Sequence, residues 1–76
     1  MSEPQWGYVT TPADLGAFLR SLREERQLTQ EQLADDLGIT RQYLYEIESG
    51  KPTLYTTRLF SLLRLLGVRV KLEASR

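Results

Sequence analysis

The side chains best equipped for chemistry cluster in one short stretch, "GITRQYLYEIESGK", residues 38–51. Arg41, Gln42, Tyr43, Tyr45 and Glu46 crowd the positions that Leu44 and Ile47 leave free. A face meant only for solvent usually carries Lys and Glu pairs. This one carries a fork of donors, an amide and two phenol rings, which is equipment for recognition. Bond-making chemistry is poorly provided for. The chain of 76 residues has no Cys and no His. That excludes disulfides, thiolate or imidazole metal sites, thiol nucleophiles and imidazole acid–base catalysis. An enzyme would need a carboxylate pair in a cleft, which a domain this small is not expected to offer, so no catalytic residue, metal or cofactor is predicted.

The stretch must be held by other elements, and helix-start signals punctuate the chain four times. Thr11-Pro12 with Asp14 reads as a cap, a proline at the first helical position and an acid in the first turn. Leu15, Phe18, Leu19 and Leu22 then recur at i, i+3, i+4 and i+7 as one apolar stripe. Thr29 with Gln32 forms a capping box ahead of Leu33, Ala34 and Leu37, and Gly38 is the stop. Thr40 opens the quoted helix and Gly50 closes it. Thr53 caps a fourth helix carrying Leu59, Leu62, Leu63 and Leu66 before Gly67.

Residues 1–10 read as a loosely held arm whose Trp6 and Tyr8 either pack back on the domain or touch a partner. Glu3, Pro4 and Asp14 without an apolar run argue against a signal peptide. The most apolar stretch, "LFSLLRLLGV", is broken by Arg64 and falls short of the ~20 residues of a membrane span. A soluble, cytoplasmic protein with no membrane partner is expected.

Two features point to a second copy of the chain. The fourth helix carries Tyr55, Phe60 and Leu65 besides its core stripe, so it is apolar on more than one face. "VRVKLE" then alternates Val68, Val70 and Leu72 against Arg69, Lys71 and Glu73, the period of a half-buried strand. A lone strand needs a partner, and the same strand across a two-fold axis would supply one. The expected dimer interface is Phe60, Leu65, Val68, Val70 and Leu72. The predicted fold is all-α: a compact four-helix domain over 11–67, preceded by the arm (1–10) and followed by a dimerisation strand and tail (68–76) that pairs across a homodimer.

Gly38-Ile39 joins the second and third helices too tightly for antiparallel packing, which suits two helices crossing steeply. Helix, glycine turn, second helix is the helix-turn-helix arrangement, whose second helix lies in the major groove of DNA. "LREERQLTQEQLADDLGITRQYLYEIESGK" closely resembles the Xre/Cro-type helix-turn-helix domains of bacterial and phage repressors, with the likeness running over roughly residues 13–67. The flanks narrow the likeness. A short arm, "TPADLG", the helix "LFSLLRLLG" and one closing strand are similar to the HipB-type antitoxins, which dimerise through such a strand, repress their own operon and bind a HipA-type kinase toxin.

Carried across residue by residue, that resemblance implies base contacts for Arg41, Gln42 and Tyr45. Arg suits guanine as a bidentate donor, Gln pairs with adenine, and the Tyr45 ring would press on a thymine methyl. It implies backbone contacts for Gln30, Thr40, Tyr43, Ser49 and Lys51, which set register without reading sequence. It also implies a structural salt bridge between Arg23 and Glu48.

Charge weighs against this reading. Net charge is zero, and residues 29–52 hold two cations against five acids, a net −3. DNA-binding modules are usually basic. The expected function is a homodimeric, sequence-specific repressor of an inverted-repeat operator in double-stranded DNA, with recognition helices ~34 Å apart. The resemblance makes it also the antitoxin of a HipA-type kinase toxin that autoregulates its operon. The alternatives are a stand-alone regulator without a toxin, or a protein-interaction module that has lost DNA binding.

Overall fold

The computed structural model describes residues 5–75, so residues 1–4 of the expected arm and residue 76 of the tail lie outside the described residues. The elements run β1 (Trp6–Val9), α1 (Pro12–Glu25), α2 (Gln30–Leu37), α3 (Arg41–Ser49), α4 (Leu54–Leu65) and β2 (Val70–Glu73). The all-α helix-turn-helix class holds, with a two-stranded antiparallel sheet added to it.

Each helix starts on a threonine in extended backbone. Thr11, Thr29, Thr40 and Thr53 accept from the N–H groups of Asp14, Gln32, Tyr43 and Thr56. Each such bond satisfies an otherwise orphan donor and stabilises a helix by ~1 kcal/mol. The second and fourth caps are full capping boxes, closed by Gln32 and Thr56. The Asp14 carboxylate also accepts from the backbone N–H and hydroxyl of Thr10, both at 3.0 Å, and these bonds hold its pKa down. At the other end of α1, Gln27 occupies the left-handed region (φ 61°) without being glycine. The turn closes because Leu28 N–H donates to the Arg23 carbonyl at 3.1 Å.

The C-terminal strand does not wait for a second chain. β2 pairs antiparallel with β1 of the same chain, Trp6 opposite Glu73 and Val9 opposite Val70, which corrects the ribbon expected across a two-fold axis. The four residues "WGYV", inside the supposed arm, are the missing partner. Val9 is buried, Val70 and Leu72 are half-buried, and Gly7 lies against the Phe18 ring. The outer face carries Trp6 edge-on to Tyr8, with Lys71 over the first ring and Arg69 over the second, each 4.8 Å from the ring centroid. Arg64 donates to the Thr10 carbonyl and Arg26 to that of Ser75, tying the ribbon to α4 and α1.

Phe60 is a second correction. It is only 7% exposed and belongs to the core with Val9, Ala34 and Leu44, so within this chain it is no interface residue. At 100° per residue, the side of α4 opposite Phe60 carries Leu54, Tyr55, Leu59, Leu62, Leu65 and Leu66, all exposed. Leu65, at 85%, is the most exposed apolar residue of the chain's described part.

Two glycines let α1 meet α3 backbone to backbone. A Cβ at Gly16 would intrude on the carbonyl oxygens of Ile47 and Glu48. Gly50 ends α3 at φ 70° and abuts the backbone of Pro12 and Ala13. Gly16→Ala should therefore destabilise the domain, although alanine is the better helix former by ~1 kcal/mol. Gln27→Gly should do the reverse and stabilise by about 0.5–1 kcal/mol, since glycine adopts the left-handed turn without strain. Shifts of the urea midpoint in opposite directions, with unchanged slope, are the expected result.

Candidate nucleic-acid interface

A buried fork fixes the position of α3. Glu48, in its last turn, has a side chain only 2% exposed, and Arg23 of α1 is 10% exposed. Arg23 Nε donates to Glu48 Oε2 at 2.7 Å and Nη2 to Oε1 at 3.1 Å, a bidentate pair. The remaining nitrogen, Nη1, donates to the Leu28 carbonyl at 2.7 Å. Gln30 Nε2, at the start of α2, donates to Glu48 Oε1 at 3.0 Å. The Arg23–Glu48 pair thus links α1, the α1–α2 turn, α2 and α3. Burial on its own would push the Glu48 carboxyl up; the bonds from Arg23 and Gln30 and the nearby positive charge outweigh it and hold the group below the ordinary glutamate range. The same bond raises the Arg23 pKa further, so the guanidinium stays charged.

With α3 fixed, its first turns stand clear of the domain. Arg41, Gln42 and Tyr45 are exposed, and with Gln30 they surround one shallow depression. A larger cleft beside it, about 740 Å³, is lined by Arg20 and Arg23 of α1, Thr29, Gln30 and Glu31 at the start of α2, and Arg41, Tyr45, Glu48 and Ser49 of α3. Donors, one ring and a helix N-terminus therefore converge on one side.

Not every expected residue joins them. Tyr43 and Lys51 line a separate apolar groove between α3 and α4, together with Ile47, Tyr55 and Phe60. The Thr40 hydroxyl oxygen is engaged as the α3 cap, accepting from Tyr43 N–H at 3.0 Å. Ser49 Oγ donates back to the Glu46 carbonyl at 3.1 Å. Gln30 is held by Glu48 through its amide nitrogen, so its carbonyl oxygen end is oriented by that bond.

Two residues stand outside the expected contact set: Glu46, named on the α3 face but given no contact, and Arg20, which drew no comment. Glu46 Oε2 accepts from Gln42 Nε2 at 3.3 Å and pairs with Lys51 Nζ at 3.5 Å, gathering two of the expected contact residues onto one carboxylate. The i, i+4 spacing from Gln42 was the available signal. Arg20 was the other; it lies one turn before Arg23 and so shares its face of α1.

The arrangement matches known sequences along most of its length. The family model described as a helix-turn-helix domain matches residues 14–75. An uncharacterized HTH-type transcriptional regulator, y4mF, of Sinorhizobium fredii is 35% identical over 66 residues, covering 87% of this chain and 87% of its own length. The ImmF control region 10 kDa protein of Bacillus phage phi105 is 43% identical over 37 residues, 49% of this chain and 41% of the phage protein. No solved structure matches the chain.

The fork makes a stability prediction. Glu48→Gln should destabilise by ~3 kcal/mol or more, because it leaves Arg23 buried without its counter-charge. Replacing both partners by apolar residues of similar volume (Arg23→Met with Glu48→Leu) should cost far less. Since the folded pKa of Glu48 is depressed, its contribution is complete above the ordinary glutamate range and is lost as pH falls through the folded value. Urea midpoints measured from neutral to acid pH should fall more steeply for the natural chain than for Glu48→Gln.

Proposed function

Because the chain belongs to the helix-turn-helix domain family of DNA-binding transcriptional regulators, we propose that it is a sequence-specific repressor that binds an inverted-repeat operator as a homodimer. The observation that carries this reading is the convergence of Gln30, Arg41, Gln42 and Tyr45 around one exposed depression at the start of α3. In this reading Arg41, Gln42 and Tyr45 touch base edges, while Gln30, Thr40, Tyr43, Ser49 and Lys51 position the sugar–phosphate backbone. α3 enters the major groove by its N-terminal end. The chemistry is recognition throughout, with no catalytic role for any residue.

The homodimer is supported by the outer side of α4. Five apolar side chains on one side of a twelve-residue helix, with Leu66 at its C-cap, form an exposed patch of the kind that marks a protein interface. Leu65 and Val68 stand at its C-terminal end and are exposed; Val70 and Leu72 continue it only as half-buried members of the ribbon. A second copy would cover this patch and set two α3 helices on one face of the duplex.

The antitoxin role rests on the resemblance of "TPADLG", "LFSLLRLLG" and the closing strand to HipB-type antitoxins. A HipA-type kinase would then be the second partner. A kinase-like reading frame beside the gene, and a complex of the two products that survives gel filtration, are expected. A free-standing gene whose product represses on its own would leave a regulator without a toxin.

DNA binding is tested on a duplex from upstream of the protein's own gene and a scrambled duplex. Arg41→Ala should relax preference at one base position, at a cost of about 1–3 kcal/mol on the operator alone, whereas Lys51→Ala should weaken both duplexes equally. Equal losses for Arg41→Ala on the two duplexes would remove it as a base reader. Leu65→Glu should convert the dimer to monomer in sedimentation while leaving the helical signal intact, because that side chain has no place in the monomer core.

A further inference from the structure

The net acidity of residues 29–52 has a structural answer outside that segment. We propose that Arg20, on α1, is a phosphate-binding residue that grips one strand of the DNA backbone at the cleft between α1, α2 and α3. This rests on the DNA-binding reading above.

Three arginines line the cleft: Arg20, Arg23 and Arg41. Arg23 is neutralised by Glu48 on the cleft floor, and Glu31 stands at the rim. Arg20 reaches the cleft from α1 and Arg41 from α3. A count by sequence segment misses this, because half of the positive charge facing the cleft comes from α1. The first N–H groups of α2, those of Gln30 and Glu31, point out of their helix at the same place, since the capping box takes only those of Thr29 and Gln32. Helix N-termini and arginine forks both suit phosphate oxygens.

Arg20 is free to turn to such a ligand. Among the described residues its one ion pair is with Glu24, an exposed i, i+4 contact at 3.2 Å. Exposed pairs of this kind are worth less than ~1 kcal/mol, so a phosphate displaces Glu24 at little cost. Its charge already reaches the cleft floor, where it adds to the effects that hold the Glu48 carboxyl down. Arg20 lines the cleft but not the depression that Gln30, Arg41, Gln42 and Tyr45 surround, where base edges are read. Its contact is therefore with backbone, and it should be indifferent to sequence.

The experiment is fluorescence anisotropy of the full chain on the upstream and scrambled duplexes across a salt series. The variants are Arg20→Ala, Arg20→Lys and Glu24→Gln, with thermal unfolding run alongside. Arg20→Ala should weaken both duplexes by the same factor and reduce the slope of log K against log salt by about 0.9 for each bound protomer. Arg20→Lys should keep the slope. Glu24→Gln, which releases Arg20 without altering it, should bind both duplexes at least as tightly as the natural chain. The unfolding midpoint should be unchanged in Arg20→Ala, separating a lost grip from a lost fold; were it to fall, the Arg20→Lys and Glu24→Gln results decide. If the natural chain binds its upstream duplex and Arg20→Ala leaves slope and affinity intact, the inference is overturned while the DNA reading stands. Weakening confined to the upstream duplex would make Arg20 a sequence reader and overturn the phosphate role. If the natural chain binds neither duplex, the DNA reading itself fails and takes this inference with it.

Discussion

The proposed recognition face depends on one buried ion pair. α3 has nine residues and a single buried apolar side chain, Leu44, so apolar side-chain packing alone gives it little hold on the rest of the molecule. The Arg23–Glu48 fork supplies what packing cannot. It is directional, and every strong donor and acceptor around it is used: two guanidinium nitrogens on the carboxylate, the third on the Leu28 carbonyl, and Gln30 on the same carboxylate. A buried pair is a poor source of net stability compared with well-packed apolar residues. Its value here is geometric, because it makes the angle between α2 and α3 a consequence of where α1 ends.

That reliance on a polar joint follows from the shape of the domain. Its principal extents are 37, 32 and 15 Å, so it is little more than one helix layer thick in its shortest direction. Val9, Ala34, Leu44 and Phe60 are its only buried hydrophobic residues among those described. Small domains bury a small fraction of their surface and have little stability to spare. α4 shows the result on both of its sides: Phe60 completes the core, and the opposite face is left as apolar as many interiors. The same helix therefore serves the fold inwardly and, in the proposed dimer, a second copy outwardly.

Local chemistry was legible in the sequence wherever it is local in space. The four threonine caps, the glycine stops at Gly38 and Gly50, and the Arg23–Glu48 pair could all be read from residue types and spacing or from the family resemblance. Contacts between distant segments that the resemblance does not carry were not legible. "WGYV" contains a glycine and too few residues to show a strand's period, and its partner lies at the other end of the chain, so Val70 and Leu72 looked like a strand without a mate. Phe60 was assigned to the outer face because an all-round apolar helix gives no hint of which side turns inward. Gly16 drew no comment, since only the carbonyls of α3 pressed against it explain a glycine in mid-helix. Arg20 escaped for the same reason: its proposed role depends on which wall of a cleft α1 becomes.

The β1–β2 ribbon has a further consequence, for the order in which the molecule assembles. Its register joins residue 6 to residue 73, so closing it means bringing nearly the whole chain into a loop. The helix caps and the α2–α3 turn involve neighbours only a few residues apart. Loop-closure entropy therefore places the ribbon last on the folding path and makes it the first part to open. Opening it would uncover Val9, and with it one edge of the core, while the fork and the recognition face remain assembled. The four-residue strand pair is in that sense a clasp: the helices take their places first, and the clasp then holds them closed.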